Sequence, residues 1–133
     1  MKVLIYTDGG ARGNPGPAAT GIVIKNEQGE ILSAYGEYLG EQTNNFAEYS
    51  AIISALKKAK ELGASELDCF LDSKLVVEQL NGKWKVKEPS LQKLFVQAYN
   101  ASAQFKKVTY NHIYREKNKE ADKLVNETLD KKA

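Results

Sequence analysis

Four acidic residues are candidates for chemistry because of where they stand in the chain: Asp8, Glu48, Asp72 and Asp122. Asp8 and Asp72 each follow a short apolar run of the kind that forms a buried strand. Ligands of open α/β sheets bind at such strand ends. Each residue also has a local explanation, Asp8 as a turn residue bonded to the adjacent glycine backbone and Asp72 as a helix cap.

Glu48 and Asp122 lie at helical spacing from apolar residues. Ile52 and Ala55 follow Glu48 at i+4 and i+7, and Val125 follows Asp122 at i+3. Both carboxylates therefore belong to an apolar helix face. No lysine or arginine stands three or four residues after Glu48, and burying an unpaired charge is costly. The alternative for both residues is an acid stabilised by the dipole at a helix N-terminus.

Four converging carboxylates would raise one another's pKa values, and a hard divalent cation with oxygen ligands relieves that repulsion. We therefore predict a Mg²⁺ or Mn²⁺ site, since a pair of such ions ~3.5–4 Å apart promotes phosphoryl hydrolysis. Cys69 and His112 are the only cysteine and the only histidine. This excludes a zinc site of ordinary Cys/His composition and a histidine-based nucleophilic triad.

The elements that must position these acids follow from the apolar periodicity. Strands are predicted at residues 3–6, 20–25, 31–39, 67–71 and 108–114, and helices at 44–62, at 74–80, after a cap at Ser90, and at 118–129. Residues 9–17, rich in glycine and proline, are predicted to form a loop. The order β-β-β-α-β-α-α-β-α indicates a mixed α/β sheet with helices on its faces.

Length and charge set further limits. The chain has 133 residues, which is room for one domain spanning residues 1–133. Its formal net charge of +2 is too small to indicate a nucleic-acid-binding protein, so only local clustering of charge could do so. The apolar run at residues 3–6 is too short for a membrane span or a signal peptide. We therefore expect a cytoplasmic protein that contacts no membrane.

Four motifs in chain order resemble those of type 1 ribonuclease H. They are Asp8-Gly9-Gly10 with Gly13-Asn14-Pro15-Gly16-Pro17, Thr43-Asn44-Asn45 ahead of Glu48, Asp72-Ser73, and Asn118 ahead of Ala121-Asp122. Each motif falls on the element where the family has it, and the resemblance spans residues 1 to about 130. One motif alone would be a weak signal, whereas four in order are a strong one.

The resemblance implies a ribonuclease H-like fold, with a five-stranded mixed sheet of three antiparallel and two parallel strands and helices on both faces. It also implies an endonuclease that cleaves the RNA strand of RNA–DNA hybrids and leaves 5′-phosphate and 3′-hydroxyl ends. Asp8, Glu48, Asp72 and Asp122 would be the catalytic acids that hold two Mg²⁺ ions, with Mn²⁺ as a substitute. By the same resemblance Asp8 bridges the ions. Asp122 serves the ion that carries the attacking water, and Glu48 and Asp72 serve the ion at the departing 3′ oxygen.

The resemblance also assigns substrate contacts. Only the 2′-hydroxyl separates RNA from DNA at a given backbone position, so small polar groups must approach it closely. Gly10 and Asn14, in the glycine-rich loop, would make such minor-groove contacts, as would the amides of Asn44 and Asn45. Thr43 and Asn45 would hold a phosphate of the DNA strand. Asn44 has an additional candidate role as the cap of the following helix.

Two departures from the family pattern concern cations. Arg115 replaces the histidine that family members often carry before the last helix, as an arginine does in some bacterial and archaeal relatives. A guanidinium can hold the scissile phosphate or aid product departure, but it cannot act as a general acid or base. Residues 83–87, with three lysines and Trp84, replace a longer basic protrusion and could contact a few phosphates. His112 lies in a predicted strand and is interpreted as structural.

Two rival functions remain from the sequence alone. One is an inactive nucleic-acid-binding module on the same fold, since fold and site are separable. The presence of all four acids disfavours it. The other is a strand-transfer domain of the integrase or transposase type, a class that lacks an acid on the first helix, so Glu48 favours ribonuclease H. For the favoured function we expect a monomer that binds an RNA–DNA hybrid and has no obligate protein partner.

Overall fold

The computed structural model describes residues 1–132 and contains five strands and four α-helices in this range. The strands are β1 (Lys2–Ala11), β2 (Gly16–Asn26), β3 (Ile31–Gln42), β4 (Glu66–Leu71) and β5 (Lys107–His112). The helices are α1 (Asn44–Glu61), α2 (Lys74–Leu80), α3 (Pro89–Ser102) and α4 (Lys119–Lys132), and a single 3₁₀ turn (Arg115–Lys117) precedes α4. The order of elements is the one that the sequence predicts.

The strands form one mixed sheet in the order β3-β2-β1-β4-β5. β1, β2 and β3 are antiparallel neighbours, while β4 runs parallel to β1 and β5 runs parallel to β4. At the β2–β3 turn the Asn26 amide donates to the Glu30 carbonyl, and Gly29 takes a φ of 84° that favours glycine. The predicted fold class, three antiparallel and two parallel strands with helices on both faces, is confirmed.

The helices cover opposite faces of the sheet. Gly9 faces α1 and its neighbour Gly10 faces Val125 of α4, as the alternation of side chains along a strand requires. The main core lies between the sheet and α1, α2 and α3, and includes Ile5 and Ile52. On the other face α4 contributes Val125 to a smaller buried cluster.

Two glycines let the helices approach the sheet closely. A Cβ at Gly9 would overlap the Ala47 carbonyl group of α1, and a Cβ at Gly21 would overlap the Ala121 carbonyl oxygen of α4. Ala47 and Ala121 each precede one of the predicted metal-binding acids. The glycines of the sheet therefore help to set where the two helices hold those acids.

The end of β1 differs from the prediction. The first strand is predicted at residues 3–6 and a loop at residues 9–17, but β1 continues to Ala11, and the connection to β2 comprises residues 12–15 only. Asp8 pairs with Gly21 inside the β1–β2 ladder, so its interpretation as a turn residue is wrong. Glycine has low strand propensity, and here the packing of α1 on Gly9 overrides it.

The remaining differences are at element ends. α3 begins at Pro89 with Glu88 in the cap position, rather than at a Ser90 cap, because proline at the first helical position needs no partner for a missing N–H group. β5 ends at His112 rather than at Tyr114. None of the helices within residues 1–132 combines the length and apolar character that crossing a membrane requires.

Candidate active site

Asp8 and Asp72 lie side by side at the carboxyl edge of the parallel strands. The pairing of β1 with β4 ends at Thr7 and Leu71, and each aspartate is the next residue of its chain segment. Asp8 is only 8% exposed, and Asp72 is partly buried. The hydroxyl of Ser73 accepts the hydrogen bond that caps α2, so Asp72 is not the cap.

Glu48 and Asp122 approach the same edge from opposite helices. Glu48, on α1, is 7% exposed, and its carboxylate accepts a hydrogen bond from the Gly9 amide. Asp122 lies in the first turn of α4 and is partly exposed, with the Arg115 guanidinium 3.6 Å from its Oδ1. The inward position of Glu48 agrees with its place on the apolar helix face.

Asp8, Glu48 and Asp72 form a cluster that fits a divalent cation. One carboxylate oxygen from each lies within 4.8 Å of the others. Within residues 1–132 no lysine or arginine forms an ion pair with these three acids. An all-oxygen donor set of buried carboxylates without a neutralising side chain suits Mg²⁺ or Mn²⁺ rather than a soft metal.

The pKa values of two of these acids are raised. The pKa of Asp8 is raised to about 7, chiefly by burial and also by the negative charges of Asp72 and Asp122. Burial also raises the pKa of Glu48 well above its ordinary value, helped by the charges of Asp8 and Asp72, while the hydrogen bond from Gly9 opposes the shift. The site therefore disfavours its own charged state until a cation is bound.

We expect the metal-free protein to lose stability as the pH rises from about 4 to about 7, because unfolded carboxylic acids titrate near pH 4. In the folded protein the pKa of Asp8 is about 7. Between these values the folded state binds more protons than the unfolded state, so the free energy of unfolding falls with rising pH. Urea denaturation in EDTA across this range measures the effect, and Mg²⁺ should restore stability at neutral pH. A midpoint independent of pH and of Mg²⁺ would contradict the expectation.

A cavity of about 430 Å³ opens beside the acids. All four acids line it, and so do four of the residues predicted to contact substrate, namely Gly10, Asn44, Asn45 and Arg115. The other two predicted substrate residues, Thr43 and Asn14, are exposed and do not line this cavity.

Asn44 ties the β1–β2 connection to the start of α1. Its Oδ1 accepts from the Ala11 amide at 2.8 Å, and its own amide donates to Oδ1 of Asn14 at 3.0 Å. The hydroxyl of Thr43 accepts from the Phe46 amide at 3.2 Å and caps α1. The capping role considered for Asn44 therefore belongs to Thr43. Asn14 does not line the cavity, but its hydrogen bond with Asn44 helps to hold a residue that does.

Asn118 is a buried contact of the site that local sequence patterns did not assign. It is 2% exposed, and its Nδ2 donates to the Thr7 carbonyl at 2.8 Å and to Oδ2 of Asp72 at 3.2 Å. It thereby connects the ends of β1 and β4 with the start of α4. The sequence signals for Asn118 were its place in the fourth motif of the resemblance and its i−4 spacing from Asp122, which puts the two residues on the same side of a helical turn.

Other residues singled out in the sequence lie elsewhere. His112 is exposed at the end of β5, with its ring edge-on to Tyr114, and does not line the cavity. Trp84 and its neighbouring lysines border a separate, more apolar cavity beside α3. Arg12, in contrast, was not a predicted site residue, yet it lines the active-site cavity.

Comparisons with known proteins agree with this architecture. The family model described as reverse transcriptase-like matches residues 6–128. A bifunctional protein of Mycobacterium tuberculosis is 47% identical over 131 residues, which are 98% of this chain and 36% of that protein, so the chain spans about a third of that relative's length. A ribonuclease H of Clostridium botulinum is 35% identical over 148 residues, covering 97% of this chain and 96% of that protein. The solved structure of LC11-RNase H1 in complex with an RNA/DNA hybrid has a TM-score of 0.94 and 45% identity, with 98% of each chain covered.

Proposed function

Because this chain belongs to the type 1 ribonuclease H family, we propose that it cleaves the RNA strand of RNA–DNA hybrids endonucleolytically and leaves 5′-phosphate and 3′-hydroxyl ends. The observation that carries this proposal is the cluster of Asp8, Glu48 and Asp72, whose oxygens lie within 4.8 Å of one another in an open cavity. The complex of LC11-RNase H1 with an RNA/DNA hybrid supports the substrate class.

The acids would hold two Mg²⁺ ions, for which Mn²⁺ can substitute. Such ions, when bound, activate a water and stabilise the departing oxygen. The protein's part is to keep the ligands oriented in advance. The Gly9 amide fixes the Glu48 carboxylate, and the Asn118 amide fixes Asp72. The negative charges of Asp72 and Asp122 both act on Asp8, and Asp8 would hold the metal together with these two acids and Glu48.

Selection of RNA would depend on one wall of the same cavity, which is formed by Gly10, Asn44 and Asn45. Gly10 exposes backbone there without a side chain, and Asn44 and Asn45 present amides. Groups of this size can approach a 2′-hydroxyl, which is the chemical feature that distinguishes the RNA strand. Thr43, exposed at the start of α1 beside Asn45, would contact a phosphate of the DNA strand. Asn14 would support this wall through its hydrogen bond with Asn44.

Replacing Arg115 by alanine is expected to lower kcat by about tenfold, because a charge-assisted contact to the reacting phosphate is lost. Arg115 is exposed and touches the acids only at Asp122, 3.6 Å away, so metal affinity should change little. Steady-state kinetics together with calorimetric Mg²⁺ titration separate the two effects. Lys117→Ala, an exposed cation in the same turn that does not line the cavity, is the matched control. Unchanged kinetics for Arg115→Ala would remove Arg115 from the site.

The experiment that tests the function compares three duplexes of matched sequence: an RNA–DNA hybrid, double-stranded RNA and double-stranded DNA. Each is incubated with the protein over a range of Mg²⁺ or Mn²⁺ concentrations, and end-labelled products are mapped. We expect cleavage within the RNA strand of the hybrid, abolished by EDTA, with products that a 3′-hydroxyl-dependent polymerase can extend. Binding without cleavage at every metal concentration would instead identify an inactive nucleic-acid-binding module.

A further inference from the structure

Arg12 is a cationic residue that lines the active-site cavity, and the proposed reaction does not require it. It lies in the connection between β1 and β2 and lines the cavity. Its guanidinium lies 2.7 Å from Oδ1 of Asp130 and 3.5 Å from the Asn126 carbonyl, both in the C-terminal half of α4. The Arg12 side chain is 44% exposed and that of Asp130 is 68% exposed, so water and solutes can reach the pair.

The backbone of Arg12 is held firmly, which leaves only the side chain free to move. The Arg12 amide donates to the Pro17 carbonyl at 2.9 Å. A Cβ at Gly16 would overlap the Arg12 carbonyl, so the connection is packed against itself. The preceding residue, Ala11, donates to Asn44 at 2.8 Å. The Arg12 guanidinium can therefore change its partner by rotation of the side chain alone.

Arg12 and Arg115 are the two cationic side chains that line this cavity in the described part of the chain. Each pairs with a carboxylate of α4, Arg115 with Asp122 and Arg12 with Asp130. Eight residues of α-helix separate these carboxylates by about 12 Å. A nucleic acid strand carries one phosphate per about 3.4 Å of helix axis, so this distance spans several phosphates. The two arginines are placed to meet different phosphates of one bound duplex.

We propose that Arg12 binds a backbone phosphate of the hybrid, at least one nucleotide from the cleaved bond, and that Asp130 occupies its guanidinium when no hybrid is bound. The inference rests on the proposed function and extends it to a second phosphate contact. An exposed ion pair contributes little free energy, whereas a guanidinium can bind a phosphate through two parallel hydrogen bonds. Exchange of Asp130 for phosphate is therefore favourable, and Asp130 weakens hybrid binding by competing for Arg12.

The test uses Arg12→Ala and Asp130→Asn in the whole chain. Arg12→Ala should raise KM and the Kd for hybrid by about three- to tenfold, because it removes a charged hydrogen bond that is partly exposed to solvent. It should also lower the slope of log Kd against log salt by about one. Asp130→Asn should lower KM and Kd, and kcat should stay the same in both variants. Lys25→Ala, which removes a comparable ion pair to Glu120 of α4 away from the cavity, should change none of these values.

Two results would overturn the proposal. If the pair merely tethers the β1–β2 connection to α4, Arg12→Ala and Asp130→Asn will raise KM alike, and the double variant will be no worse than either. If Arg12 is irrelevant, Kd and the salt slope will not change. Fluorescence anisotropy in EDTA measures hybrid binding without cleavage. A wild-type protein that binds through Arg12 but never cleaves would therefore refute the proposed function and leave this inference standing.

Discussion

Replacing Asp8 by asparagine is expected to reduce hybrid cleavage by about 10³-fold or more while leaving the fold intact, because the variant loses a charged ligand at the centre of the acid cluster. Asparagine keeps the shape of the side chain and retains an oxygen, but this oxygen carries no formal charge. The charges of Asp72 and Asp122 both act on Asp8, and one of its carboxylate oxygens lies within 4.8 Å of those of Glu48 and Asp72. Cleavage of labelled hybrid at saturating Mg²⁺ measures the loss.

The same substitution should stabilise the metal-free protein. Asp8 is buried beside other carboxylates, and near neutral pH its ionisation costs free energy that asparagine does not incur. Urea denaturation in EDTA at neutral pH should show a gain of about 1 kcal/mol or more. The fall in stability between acidic and neutral pH should shrink correspondingly. Activity and stability thus move in opposite directions, as is common where a site stores unfavourable charge.

Asp68→Asn is the matched control. Asp68 lies on β4, the strand that pairs with the Asp8-bearing strand β1, but it is not part of the acid cluster. The hydrogen bond from Lys2 lowers its pKa, and the Lys2 ammonium lies 3.0 Å away. Asp68→Asn should therefore keep full activity and gain no stability. Near-normal turnover by Asp8→Asn, or unfolding of that variant in EDTA, would contradict the assignment of Asp8.

The acids could be located from the sequence because each obeys a local rule. The spacing of Glu48 from Ile52 and Ala55 follows helical periodicity alone, and Glu48 is indeed buried. Asp72 directly follows an apolar strand whose length and end were predictable. Rules of this kind depend on a few neighbouring residues, so they survive without knowledge of the tertiary fold.

The features that the sequence did not reveal depend on distant contacts. Asn118 donates to the carbonyl of Thr7, 111 residues away in the chain, and Arg12 pairs with Asp130, 118 residues away. No local pattern encodes either pair. The extent of β1 was missed for a related reason, since Gly9 and Gly10 have low strand propensity, and their strand conformation depends on pairing with β2 and on the packing of α1 against Gly9.

Replacing Gly9 by alanine is expected to destabilise the protein by about 2–4 kcal/mol and to weaken metal binding. The new Cβ would overlap the carbonyl group of Ala47 and the amide nitrogen of Glu48. These are backbone atoms of α1, which cannot rotate away as a side chain would, so the helix must move from the sheet. Overpacking of a buried contact commonly costs about 1–3 kcal/mol and occasionally more, and a clash with helix backbone belongs at the upper end. Movement of α1 would also carry the Glu48 carboxylate away from the Gly9 amide.

Gly10→Ala separates this packing effect from the general cost of altering a glycine in β1. The nearest atom to a Cβ at Gly10 is Cγ1 of Val125, at 3.7 Å, which is an ordinary van der Waals contact. Alanine also loses less backbone entropy than glycine when a strand forms. Gly10→Ala should therefore match or slightly exceed wild-type stability in urea denaturation, even if its methyl group in the cavity impairs hybrid binding. Equal midpoints for Gly9→Ala and Gly10→Ala would mean that α1 is not held against β1 at Gly9, and the position of Glu48 would then need another cause.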